Sequence, residues 1–138
     1  MIEIYRKFSN FSQLAILPLA NLAARFYVGW EFLKSGLLKL EDWEETLEMF
    51  ADDWALPFLP AEISAYLATA GELILPMLLF VGLFTRVGAL GLFAMALVIE
   101  LCIYPGTVQH YYWMIILALI VGCGGSKLSL DNLLFKLT

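Results

Sequence analysis

Six ionisable residues interrupt otherwise apolar stretches of this chain: Arg25, Glu31, Lys34, Glu72, Glu100 and His110. Placing an ionised side chain in hydrocarbon costs at least about 2.5–3.5 kcal/mol, so each needs a partner or a task. Arg25 and Glu72 fall near the middles of two successive apolar runs. With a rise of ~1.5 Å per helical residue they reach the same depth, and the expectation is an ion pair between adjacent helices. Such a pair reads either as a structural pin or as a polar site for a head group, a proton or an ion. Glu31, Glu100 and His110 all fall toward the outer ends of their runs, beside Tyr104, Tyr111, Tyr112 and Trp113. Two carboxylates and an imidazole at one level can bind a metal or relay protons. The same residues can instead snorkel to the interface within an aromatic belt. No metal is predicted on this pattern alone. Glu31 and Lys34, three apart on a helix, can neutralise each other.

Other chemistry is excluded by what the sequence lacks. It has no Cys-x-x-Cys, no pair of histidines at helical metal spacing and no phosphate-binding glycine loop. A single histidine rules out bis-histidine haem ligation within one chain, and no covalent cofactor is expected. Gly88, Gly91 and the run Gly122 to Gly125 read as packing and turn glycines.

The elements that must carry these residues follow from composition. Of 138 residues, 62% are hydrophobic and 15% charged, and the mean hydropathy is +0.82. Soluble domains are about 45–50% apolar and about 25% charged. A chain this short cannot hide so much apolar surface from water, so lipid is its expected solvent. At about 20 residues per crossing, the length holds four spans and no separate catalytic domain. The predicted fold is all-α: a four-helix transmembrane bundle forming a single integral membrane domain over residues 1–138, with spans at about 14–38, 61–84, 87–104 and 109–121. Pro18 sits where a helix start tolerates proline, Gly29 and Gly36 allow close helix contact, and Pro76 kinks the second span. Between the first two spans, segment 41–60 mixes carboxylates with Trp43, Leu47, Phe50, Trp54 and Phe58. This pattern predicts a short amphipathic helix in the membrane interface, ended by Pro57 and Pro60.

Orientation follows from the basic residues. Arg6 and Lys7 precede the first span, Arg86 lies in the turn after the second, and Lys127 and Lys136 lie in the tail. With four spans these share one side, the cytoplasmic one by the positive-inside rule; Lys34 and Lys39 run against the bias. Both termini are therefore expected in the cytoplasm, with the acidic segment outside. The first residues, Met1 to Lys7, read as no cleavable signal. The net charge of -5 argues against nucleic acid as a partner. Cys102 and Cys123 fall near opposite faces of the bilayer, beyond the ~7 Å Cα limit of a disulfide, and read as small buried apolar residues.

The chain also carries a recurring set of positions: Arg25-x-x-x-Gly29-x-x-Phe32-x-x-Ser35-Gly36-x-x-Lys39, then Gly71-Glu72-Leu73, Gly82-Leu83-Phe84-Thr85-Arg86 followed by Ala89, and Lys127-Leu128-Ser129-Leu130-Asp131. In order and spacing these resemble the DoxX family of small bacterial four-helix membrane proteins. The likeness runs from about Leu22 to Leu134, and Asp42-Trp43, Phe50 and Pro57 resemble the extended first loop of one branch. A departure is Gly124-Gly125-Ser126, where members often carry Gly-Pro-Gly. The resemblance implies a bacterial inner-membrane location and points loosely to membrane subunits of quinone-coupled oxidation or of oxidative-stress systems. It carries Arg25, Glu72 and Arg86 over as pattern-matching polar positions without assigning catalytic roles.

Three functions remain open at this level. One is an accessory quinone- or lipid-interacting subunit of a redox or stress-response system. It would use the Arg25 and Glu72 region, take electrons from a soluble or membrane partner, and offer the acidic segment as a docking surface. The second is a transporter of a small solute, proton or metal, which four spans would enclose only as a homo-oligomer. The third is a non-catalytic scaffold. Replacing Glu72 with Gln separates the first two from the third.

Overall fold

The structure is a computed structural model, described over residues 1–135; Lys136 lies outside the described residues. It is built of helices, with no strand among the described residues. The elements are α1 (Ile2–Phe11), α2 (Leu17–Glu41), α3 (Trp43–Asp52), α4 (Ala61–Val81), α5 (Thr85–Val98), α6 (Val108–Cys123) and α7 (Leu130–Phe135). π-Helical stretches at Ser12–Ile16 and Ile99–Ile103 join α1 to α2 and prolong α5.

The four long helices pack in a ring, α2 on α4, α4 on α5, α5 on α6 and α6 back on α2. The shared core is Val28 and Phe32 of α2, Leu79 of α4, Ala89, Leu92 and Ala96 of α5, and Leu117 and Ile120 of α6. Outside it, the long helices expose Phe26, Trp30, Leu67, Ile74, Leu90, Leu97, Ile115 and Leu119. An apolar exterior around an apolar core is what lipid solvation requires. Helices Ala61–Val81 and Thr85–Ile103 are each long and apolar enough to cross a membrane, and α6 is a shorter apolar helix of 16 residues. Helix α2 has the length, at 25 residues, but carries Arg25, Glu31, Lys34 and Lys39.

Glycine sets how α2 and α4 meet. A Cβ on Gly36 would stand 2.9 Å from the Glu72 Cβ, and one on Gly29 would overlap the Phe80 ring. The antiparallel register therefore matches residue 36 with 72 and residue 29 with 80. Helix α4 ends on Gly82 in the left-handed region (φ 72°), with the Gly82 and Leu83 amides both donating to the Leu78 carbonyl. Pro76 lies buried inside α4.

The acidic segment differs in extent from its expected bounds. Helix α3 stops at Asp52, well before Pro57 and Pro60, and a turn covers the remaining residues. The Asp42 carboxylate caps α3 by accepting from the Glu45 amide at 3.0 Å. The Thr46 hydroxyl donates to the Lys39 carbonyl at 3.0 Å and ties the helix to the end of α2. Thr46 and Phe50 face inward, while Glu44, Glu45 and Glu48 face out.

Candidate functional site

At the α3 end of the ring, α2, α4, α5, α6 and the segment after α3 enclose a cavity of about 390 Å³. Its wall is mostly apolar: Leu67, Val98, Ile99 and Ile103 lie among the lining residues. One ion pair and one carboxylate–imidazole hydrogen bond stand in this apolar setting. In the first, Lys39 Nζ donates to both oxygens of Glu72, at 3.0 Å and 2.7 Å. Ser35, one turn before Lys39, accepts from the ammonium at 2.8 Å and donates to the same carboxylate at 3.2 Å. Lys39 also lies over the Trp54 ring, 5.2 Å from its centroid, so an aromatic face adds to the site's hold on the cation. Lys39 is 6% and Glu72 3% exposed. A pair this dry is stable only when its remaining hydrogen-bond capacity is met, which is what Ser35 does.

The second pair is Glu100 with His110. One carboxylate oxygen lies 2.9 Å from His110 Nδ1, and the other accepts from the Gly106 amide in the turn between α5 and α6. Both residues are buried, and the His110 ring packs against Trp113. Lys39, Glu72 and His110 all line the cavity. Trp54 Nε1 donates to the Tyr104 hydroxyl at 3.0 Å, tying the segment after α3 to the end of the helix that α5 begins, and both residues line the cavity.

The structure does not bring Arg25 and Glu72 together. Arg25, fully buried, donates through Nη2 to the Leu128 carbonyl at 2.6 Å at the opposite end of the ring. Arg25 precedes Lys39 by 14 residues, a rise of about 21 Å along α2. The expected match assumed that the two runs are centred on each other. In fact the glycine contacts slide α4 toward the end of α2, so that Glu72 meets Lys39 and Arg25 meets Gly82.

Around Arg25 the tail motif folds back onto the turn between α4 and α5. The Asp131 carboxylate accepts from the Phe84 and Thr85 amides at 2.7 Å and 2.8 Å, capping α5 from 46 residues away. The Asp131 amide donates to the Gly82 carbonyl at 2.8 Å, and Asn21 donates to the Gly124 carbonyl at 3.2 Å. Arg86 is exposed beside them, reaching the Gly122 carbonyl at 3.5 Å.

Of the other sequence candidates, Glu31 pairs with Lys34 at 2.9 Å on a more exposed face of α2 and does not join Glu100 and His110. Among the described residues no cluster of three or more His, Cys, Asp or Glu side chains has metal-binding geometry. Cys102 and Cys123 are free thiols, exposed on the outside of the ring rather than buried. Sequence reasoning missed Lys39, Ser35 and Trp54 as site residues. The signal for two of them was present, since Ser35 and Lys39 are one turn apart and share a helix face with Gly36.

The comparisons with known proteins identify the family. The DoxX family model matches residues 20–105, well over half of the chain, and the chain belongs to that family. It is 33% identical to a Haemophilus influenzae protein described as uncharacterized, with 83% of each chain covered. No solved structure matches it.

Proposed function

We propose that this DoxX-family membrane protein is a single integral membrane domain. In this reading it is a four-span bundle in the bacterial inner membrane with both termini cytoplasmic, and it binds an amphipathic carbonyl ligand in the cavity between α3 and the bundle. A quinone is the ligand class that fits best, with a lipid head group as the other source of the same chemistry. The protein then serves as an accessory membrane subunit of a redox or stress-response system, and a partner supplies the electrons. The carrying observation is the buried Lys39–Glu72 ion pair and the buried His110–Glu100 hydrogen bond beside one apolar cavity of about 390 Å³. That volume lies within the range of small-molecule sites, about 300–1,000 Å³, whose walls are apolar with a few placed polar groups. The three Lys39 donors are taken up by Ser35 and both Glu72 oxygens, so a ligand carbonyl would exchange for one of these partners, while Glu72 and His110 line the cavity where they would exchange a proton with a ligand hydroxyl. The apolar wall suits a ring and the start of an isoprenoid tail.

Arg25 has a different role in this reading: it holds the tail against the bundle. The bias of Arg6, Lys7, Arg86 and Lys127 to one end supports the orientation, and the carboxylate face of α3 supports a docking role outside the membrane.

The test is mass spectrometry of organic extracts from the purified protein, alongside Glu72→Gln and Lys39→Met. The expected result is about one quinone per chain in the wild type and a loss of at least tenfold in both variants. A phospholipid retained in the same pattern replaces the quinone with a head group at the same site. Equal retention of any extractable molecule by all three proteins would sink the cavity as a binding site.

A further inference from the structure

Helix α1 is unaccounted for by the bundle. From Ile2 to Glu41 the backbone stays helical, and the joints at Phe11, Ser12, Ile16 and Leu17 all have right-handed helical angles. Forty residues of helix are about 60 Å long, twice the hydrocarbon thickness of a bilayer. The first buried residue of this run is Pro18, and α1 has none. About 16 residues therefore project past the end where Arg25, Arg86 and Asp131 gather.

The projecting segment is strongly two-faced. Ile4, Phe8 and Phe11 follow at i, i+4 and i+7 with Tyr5 on their flank, and they are 59–74% exposed. Glu3, Arg6, Ser9 and Asn10 occupy the other side, with Lys7 at the boundary. Left in water, this aromatic stripe is a liability.

We infer that α1 is an in-plane anchor: it lies on the bilayer surface at the Arg86 end of the bundle, with Ile4, Phe8 and Phe11 at the acyl boundary and Arg6 and Lys7 near anionic lipid phosphates. Three observations choose lipid over a second copy of the chain. The helix continues directly from α2, so its stripe emerges at head-group level. Its basic residues outnumber its one acid, matching an anionic leaflet. A ten-residue helix also holds fewer than two heptads, short of the three or four that mark a coiled coil. For α1 to lie in the membrane plane the chain would bend at the π-helical stretch Ser12–Ile16, since such stretches are where helices kink. The inference rests on the membrane-spanning reading of the bundle, and its test separates the two.

The test uses Cys102→Ser/Cys123→Ser protein carrying one fluorophore on a new cysteine. The labelled positions are Phe8→Cys, Asn10→Cys on the polar face, and Ile74→Cys on the exposed side of α4 as a control. The protein is reconstituted in phosphatidylcholine vesicles with 30% phosphatidylglycerol and nitroxide-labelled lipid. Lipid quenching at 8 and 74, at least threefold stronger than at 10, is the expected result. Adding Arg6→Glu and Lys7→Glu should then weaken quenching at 8 and leave 74 unchanged. Quenching at 74 without quenching at 8 overturns the anchor and leaves the membrane reading standing. Quenching at neither overturns both. Protection at 8 that grows with protein density, without lipid quenching, overturns the anchor in favour of self-association. Because α1 has no buried residue and packs mainly on the stretch that follows it, the substitutions at 6, 7, 8 and 10 leave the bundle intact.

Discussion

The two ends of the bundle spend their polar residues in different ways. At the Arg25 end the partners are backbone groups: a carbonyl for Arg25 and two amides for Asp131. These contacts join distant segments and enclose no ionic couple. At the Lys39 end the partners are side chains, and two acid–base couples stand beside a cavity. Backbone-directed contacts fix a fold, because the groups they satisfy exist in any chain that closes there. Side-chain couples beside an empty volume can exchange partners with a ligand. In the proposed reading this contrast gives stability to one end and chemistry to the other, although the recurring sequence positions mark both and a cavity of about 330 Å³ also lies beside Arg86 and Asp131.

The sharpest way to break this contrast is Lys39→Met. It leaves the Glu72 carboxylate buried without its cation, and removing one member of a buried pair costs about 3–5 kcal/mol. A large fall in Tm in detergent is expected, and it should be largely reversed in Lys39→Met/Glu72→Leu, which is apolar at both positions. The double variant should fold yet retain no ligand; ligand retained there would end the assignment of chemistry to this end. Next comes Asp131→Ala, which deprives two amides at the start of α5 of a charged acceptor. Each such bond contributes about 1.5–3 kcal/mol, so Tm should drop while ligand content per folded chain stays at the wild-type level. A loss of ligand in step with stability would merge the two ends into one site. The smallest effect is expected from Trp54→Phe, which deletes the bond to Tyr104. A neutral hydrogen bond contributes about 0.5–1.5 kcal/mol, so stability should change little. Ligand should exchange faster in a competition assay, by a few-fold. An unchanged exchange rate would show that this bond does not govern entry.

The helical class, the approximate positions of the four long helices and the close approach at Gly29 and Gly36 were legible in the sequence, because apolar run length and small residues report them directly. The Glu31–Lys34 pair was legible for the same local reason. The Arg25–Glu72 match failed because helix register is a tertiary property. It depends on where Gly36 lets α4 approach, and the run centres carry no trace of that. Lys39 looked like a span-end charge for the same reason: nothing in its neighbourhood along the chain shows that α3 and Trp54 fold over it. The exposed cysteines teach a related lesson. In lipid the outward face is apolar too, so a small apolar residue gives no sign of which way it points.

Pro76 lies four residues after Glu72 in α4. Having no amide hydrogen, it removes the helical donor that the Glu72 carbonyl would otherwise have. The helix wall beside the cavity therefore lacks one rung at the residue that holds the carboxylate. Bending at this turn breaks no main-chain hydrogen bond between residues 72 and 76, because none exists there. The missing rung also leaves a main-chain oxygen at position 72 that survives every side-chain substitution, so whatever Glu72→Gln abolishes belongs to the carboxylate alone.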